Sequence, residues 1–268
     1  MSSKPALNRR TQRIPVEPGR ARSSDLAASL VEIAAELRER TRRLRFSDPV
    51  AFVYRPLEYA WNAHARFTVR YGGLGAKVLL VGMNPGPWGM AQTGVPFGEV
   101  AAVRDWLEID AEIGRPAREH PKRPVEGLEC RRNEVSGARL WGWAAKRHGT
   151  PAAFFRKFFV ANYCPLCFME ESGRNRTPDK LPAAEREALF DACDAALRAM
   201  VERLRPSLVV GVGAFAEGRA RAALEGMPGV DGVALRFGRM PHPSPASPAA
   251  NRGWAKLADQ AMASLGVR

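Results

Sequence analysis

Cysteine is scarce in this sequence. The four that occur, Cys130, Cys164, Cys167 and Cys193 among 268 residues, are too few to staple a secreted scaffold of this size. No signal peptide is recognisable ahead of them, so the expectation is a reducing compartment. Apolar runs are short, and none reaches the roughly twenty residues that a membrane span needs. Acidic side chains are in deficit, with 28 Asp and Glu against 41 Lys and Arg, a net charge of +13 and a pI near 10.3. Such a surface says little about fold but points to a polyanionic partner, nucleic acid before a membrane surface. There is no internal repeat. Neither a GK[ST] after a glycine-rich loop nor a GxGxxG occurs, so a nucleotide-type phosphate cradle has little support.

What is present is enough apolar material, 46% of residues, for one good-sized core. The reading is a single domain over residues 24–268 behind a basic tail, residues 1–23, expected to be disordered. The first 24 residues hold six Lys or Arg against Glu17 alone, with four Pro or Gly. Ser24 reads as an N-cap, and Leu26, Leu30, Ile33 and Leu37 follow at helical spacing. Further helical patterns cover 57–70, 100–107, 138–146, 183–204 and 215–224. Between them lie short apolar runs at 78–81, 158–164, 208–212 and 233–237. Strands alternating with helices predict an α/β fold, a three-layer sandwich whose short, mostly parallel central sheet carries helices on both faces.

In such folds ligands bind beyond the carboxyl ends of the strands. The first of these strands runs straight into GMNPGPWGMAQTGVPFGE, Gly82 to Glu99, a stretch with five glycines, three prolines and one ionised side chain. Glycine permits close backbone approach while proline removes freedom elsewhere, so the loop is suited to preorganisation. By itself it also reads as an ordinary strand-to-helix turn. A second stretch, PHPSPASPAANRGW, Pro241 to Trp254, sets His242 between two prolines. Ser247 and Pro248 then read as N-cap and first position of a last helix carrying Trp254, Leu257, Ala258, Ala261, Met262 and Leu265 on its buried face. A helix N-terminus beside that rigid loop suits a phosphate.

Four blocks, GMNPGPWGMAQTGVPFGE, HPKRPVEGLECRRNEVSGARLWGW, NYCPLCFME with SGRN and TP, and HPSPASPAANRGW, together resemble the single-strand-selective monofunctional branch of the uracil-DNA glycosylase superfamily, in that family's order. The resemblance spans residues 52–265. It implies hydrolysis of the N-glycosidic bond of uracil in single- and double-stranded DNA, leaving an abasic site, and no cofactor or metal. Asn84 then orients the attacking water, where other branches carry an aspartate. An amide suffices because departure of the base through an oxocarbenium-like sugar needs anion stabilisation more than a strong base. His242 donates to uracil O2 as charge gathers there. Phe97 stacks on the base, Asn162 reads its N3 and O4 edge, and Gly86 and Met90 border C5. Taken alone, Phe97 reads as core and Asn162 as a cap or turn residue. The room that Gly86 leaves at C5 implies removal of 5-hydroxymethyluracil as well. No lysine occurs in the first, third or fourth block, so a Schiff-base lyase step has no amine there.

The expected DNA contacts are Ser244, Ser247, Arg252, Lys122 and Arg123, within wider basic stretches, residues 115–139 with His120, Arg131 and Arg132, and residues 174–176. Ala246 stands where the resemblance implies a strand-penetrating arginine, so the alternatives are a wedge from a neighbour such as Arg252 or weaker strand penetration. The expected state is a monomer that binds DNA and no membrane, located in the cytoplasm with the nucleoid in a bacterium or in the nucleus of a eukaryote. Three other readings stay open. These are a mismatch-directed uracil or thymine glycosylase, a non-enzymatic basic DNA-binding protein, and a zinc or iron–sulfur site built from the four cysteines.

Overall fold

A computed structural model describes residues 18–229 and 232–267, with side chains from Ser23 onward. The chain opens with α1 (Pro18–Arg42), followed by β1 (Phe52–Tyr54), α2 (Pro56–Tyr59), α3 (Trp61–Tyr71) and β2 (Val78–Gly82). Next come α4 (Met90–Thr93), α5 (Val135–His148), α6 (Pro151–Phe155), β3 (Phe158–Asn162), β4 (Cys167–Met169) and β5 (Asn175–Arg176). The last part is α7 (Ala183–Leu204), β6 (Leu208–Val212), α8 (Ala214–Ala223), β7 (Arg236–Met240), α9 (Pro248–Asn251) and α10 (Trp254–Ser264).

Four strands form a parallel sheet in the order β3-β2-β6-β7. Every residue of β2 and β6 is buried, and successive side chains of a strand point to opposite faces, so the helices must cover both faces. The helix α8 packs on β6 and β7, α10 on β7 and α6 on β3, while α1 lies against α7 and α3. This bears out the expected α/β fold. Chain order reverses between β2 and β6, and all four strands point their carboxyl ends the same way. Asn84, Asn162 and His242 therefore emerge together at one edge, beside the crevice where such sheets bind ligands.

Local expectations differ from the structure in instructive ways. The helix predicted from Ser24 begins at Pro18, so Ser24 is not its cap, and Ser23 Oγ donates to Gly73 O at 2.9 Å. Residues 1–17 of the expected tail lie outside the described residues. The pattern at 100–107 closes as a wide π turn, with Leu107 N donating to Ala102 O at 2.8 Å. The last strand lies at 236–240 rather than 233–237. It is an edge strand whose buried positions are Gly238 and Met240, so its sequence RFGRM looks polar, and Val233 of the apolar run is exposed. The single last helix is two, because Gly253 at φ 127° turns the chain between α9 and α10. A small antiparallel sheet, β1-β4-β5, was not anticipated at all.

Candidate active site

Most of the uncharged stretch after β2 is interior. Residues 89–98 are all buried. Gln92, fully buried, donates to Pro87 O and Pro124 O at 2.9 Å each and accepts from Glu126 N at 2.8 Å, so its amide is satisfied and the loop is tied to the 124–126 segment. Gly94 must be glycine: its φ is 72°, and a Cβ there would lie 2.6 Å from Ala60 O. Three residues on, Phe97 holds φ 54°, a left-handed conformation costly for an aromatic residue. Its carbonyl is held by Trp141 Nε1 of α5 at 2.9 Å, and Gly137 lets the same helix approach that carbonyl, where a Cβ would come within 2.1 Å.

The result is a cavity of about 370 Å³ at the carboxyl edge of the sheet. Of the eleven positions expected to carry function, Asn84, Gly86, Met90, Phe97, Asn162, His242 and Ser244 line it. Gly82 lies beneath two of them: a Cβ on Gly82 would sit 2.3 Å from Asn162 Oδ1 and 2.6 Å from the Phe97 ring. Ring and amide are thus brought together over a residue with no side chain. The amide nitrogen of Asn162 also donates to Met90 Sδ at 3.3 Å. Beyond Asn162, Tyr163 N donates to Gly82 O at 2.9 Å and Tyr163 OH to Asp194 Oδ1 at 2.6 Å, which anchors the strand end.

Asn84 Nδ2 donates to Leu166 O at 3.2 Å, which leaves Oδ1 as an acceptor. His242 Nδ1 accepts from Ser244 N at 3.1 Å. A nitrogen that accepts cannot carry the proton, so the neutral ring bears it on Nε2. Burial lowers the pKa of His242 and keeps the ring neutral. The cavity therefore holds an acceptor-bearing amide and a neutral imidazole donor, with an aromatic ring and a second amide beside them.

Other walls were missed from sequence. Glu134 and Ser136 come from the N-terminus of α5, and Asn175 and Thr177 from the end of the antiparallel sheet. Glu134 is the N-cap of α5, accepting from Ser136 N at 3.1 Å and from Gly137 N. Burial pushes its carboxyl up, against the pull of those two amides, and nearby Glu99 adds to the rise. A Glu before a helical pattern is a visible cap signal, but nothing local says that it faces a cavity.

Four expected DNA contacts, Ser247, Arg252, Lys122 and Arg123, do not line the cavity. The Ser247 hydroxyl caps α9, accepting from Ala250 N at 3.5 Å, and Arg252 and Lys122 are exposed. The guanidinium carbons of Arg123 and Arg132 lie 5.3 and 5.6 Å from the centroid of the Trp88 ring. His120 corrects one expectation. It is buried, with Nε2 at 2.9 Å from Glu171 O and Nδ1 accepting from Lys122 N, so its ring is engaged inside the protein. Arg176 likewise pairs with Glu170 at 2.8 Å.

All four cysteines are buried free thiols. Cys193 is hydrogen-bonded to Cys164, Cys167 Sγ lies 3.6 Å from Asn175 Oδ1, and Cys130 faces Glu126. Burial, with Cys164 adding, pushes the Cys167 thiol up to about 12. Among the described residues no three His, Cys, Asp or Glu gather to hold a metal ion, so the four-cysteine reading has no site here. Nor is any described helix long and apolar enough to cross a membrane.

A model of the uracil DNA glycosylase superfamily matches residues 69–263. A single-strand selective monofunctional uracil DNA glycosylase of Bos taurus is 51% identical over 243 residues, covering 90% of this chain and 88% of its own length. One of Rattus norvegicus is 50% identical over 256 residues, covering 94% and 90%. The crystal structure of wild-type SMUG2 of Pedobacter heparinus superposes with a TM-score of 0.60 over 87% of this chain and 97% of its own, at 15% identity, a likeness of fold.

Proposed function

Because the chain belongs to the uracil DNA glycosylase superfamily and its single-strand selective monofunctional branch, we propose that the cavity receives an extruded uracil and that the protein hydrolyses its N-glycosidic bond in single- and double-stranded DNA. The observation that carries this reading is the pairing across one cavity of Asn84, with Oδ1 free to accept, and His242, with its proton on Nε2. Asn84 Oδ1 accepts from a water and aims its oxygen at C1′. His242 Nε2–H donates to uracil O2 as the bond breaks. A donor fixed in advance stabilises the developing anion without reorganising at the moment of reaction.

Phe97 supplies the stacking face and Asn162 the amide for the N3 and O4 edge, where cytosine presents the opposite donor and acceptor order. Gly86 is open, with nothing within 4 Å of where its Cβ would be, and this supports entry of 5-hydroxymethyluracil. Ser244 and Ser247 accept from backbone amides and keep their O–H groups for phosphate oxygens, while Lys122, Arg123 and Arg252 add charge to the backbone. The protein acts as a monomer. To test this, labelled single- and double-stranded oligonucleotides bearing uracil, 5-hydroxymethyluracil or thymine are incubated with the protein and divided between alkali and borohydride. Alkali-labile sites at the first two bases are expected, with no trapped adduct. Intact uracil strands, or a covalent adduct, would overturn the reading.

A further inference from the structure

Three prolines flank or follow His242, and the carbonyl of each accepts from a side chain elsewhere in the fold. Trp254 Nε1 donates to Pro241 O, Arg139 Nη1 to Pro243 O and Asn251 Nδ2 to Pro245 O, each at 2.8 Å. Arg139 Nη2 also donates to Asn251 Oδ1 at 2.9 Å, which turns the Asn251 amide so that its nitrogen faces Pro245. One guanidinium thus controls two of the three bonds. Prolines have no N–H, so at these three positions the loop can be tied down only through carbonyls. Both acceptors of the Arg139 guanidinium, Pro243 O and Asn251 Oδ1, are neutral.

Arg139 lies in α5, whose Trp141 holds the Phe97 carbonyl and whose first residues line the cavity. The same helix therefore supports the stacking ring on one side and the His242 loop on the other. From sequence Arg139 falls at the end of a stretch expected to face DNA, and the structure turns it toward the loop instead. We propose that Arg139, with Asn251, is a positioning residue that sets the His242 imidazole against the scissile bond. The proposal rests on the glycosylase reading above. A fork that meets two acceptors in one plane is a property of guanidinium and not of ammonium, so lysine should substitute only in part.

The test compares Arg139→Ala, Arg139→Lys and Arg147→Ala. Arg147 joins α5 to Asp259 of α10 at 2.6 Å and touches nothing in the loop, so its loss controls for a loosened helix. With enzyme saturating over a single-stranded uracil oligonucleotide, Arg139→Ala should excise about 10 to 100 times more slowly in a single turnover, the scale of a misplaced catalytic group. Its Kd for that oligonucleotide should stay within about threefold of wild type. Arg139→Lys should fall between, guanidinium ion at tens of millimolar should restore part of the Arg139→Ala rate, and Arg147→Ala should match wild type. The ¹⁵N spectrum of the His242 ring should show one Nε2–H tautomer in wild type and averaged tautomers in Arg139→Ala. A wild-type rate in Arg139→Ala, a rate loss matched by lost affinity, or an unchanged imidazole spectrum would each overturn the assignment. If wild type leaves uracil in place, the glycosylase reading falls, and the imidazole spectrum still decides the role of Arg139.

Discussion

At the scale of single residues, the site depends on which atoms are left free by bonds made elsewhere. Asn84 spends its N–H on Leu166 O, and His242 spends Nδ1 on Ser244 N. In the proposed mechanism, replacing either by Ala removes one positioned proton-handling or anion-stabilising group. Single-turnover excision should drop by about 10² to 10⁴ with DNA affinity nearly unchanged, and turnover near wild type in both variants would refute the site. Gly82 makes a sharper case because it has no chemistry of its own. Gly82→Ala would put a Cβ 2.3 Å from Asn162 Oδ1 and 2.6 Å from the Phe97 ring, so both of these side chains, proposed to hold the base, must move. The expected outcome is loss of uracil excision by at least about a hundredfold with the melting transition still cooperative. An active Gly82→Ala enzyme would mean that the ring and amide do not grip the base together.

At the scale of elements, α5 carries more of the site than any strand does. Its cap residue Glu134 is a cavity wall, Gly137 admits the Phe97 carbonyl, Trp141 bonds it, and Arg139 holds the His242 loop. Glu134→Ala removes the acceptor for Ser136 N and Gly137 N. A lost N-cap costs about 0.5 to 2 kcal/mol, so the midpoint of urea unfolding should fall measurably. Excision should fall with it, because the first turn of α5 frames both Phe97 and the His242 loop. Unchanged activity in a destabilised Glu134→Ala protein would separate the cap from the site.

For the molecule as a whole, burial holds His64, His148 and His242 below the ordinary imidazole pKa of about 6.5. Their folded-state pKa values are depressed, so the unfolded chain takes up protons that the folded one refuses. Stability is then full above about pH 6.5 and is lost as the pH falls below it, toward the folded values. The melting temperature should drop between pH 7.5 and 5.5. His64→Gln, whatever it does at pH 7.5, should shrink that drop, because it removes one of the three groups; an undiminished drop would mean that His64 does not contribute to it.

The sequence by itself determined what is local. Runs such as VLLVG and LVVGV are buried on both faces of a strand and read as parallel strands, the Pro-His-Pro restraint is visible in the chain, and the four blocks mark Asn84, Gly86, Met90, Phe97, Asn162 and His242, all of which meet in one cavity. The edge strand β7 escaped because alternate residues of it face water, whereas the other edge strand, β3, is buried along most of its length and reads as apolar. The strand at 236–240 therefore looks polar, and the antiparallel sheet is built from strands of two and three residues. Only the tertiary structure decided that Gly82 must lack a side chain, that Glu134 and Thr177 are walls of the cavity, and that Arg139 donates to a proline carbonyl 104 positions away. The reason is geometric. A residue's own neighbours specify its strand or turn, whereas the Gly82–Asn162 contact exists because β2 and β3 pair in one register, and a one-residue slip would turn Asn162 to the other face of the sheet.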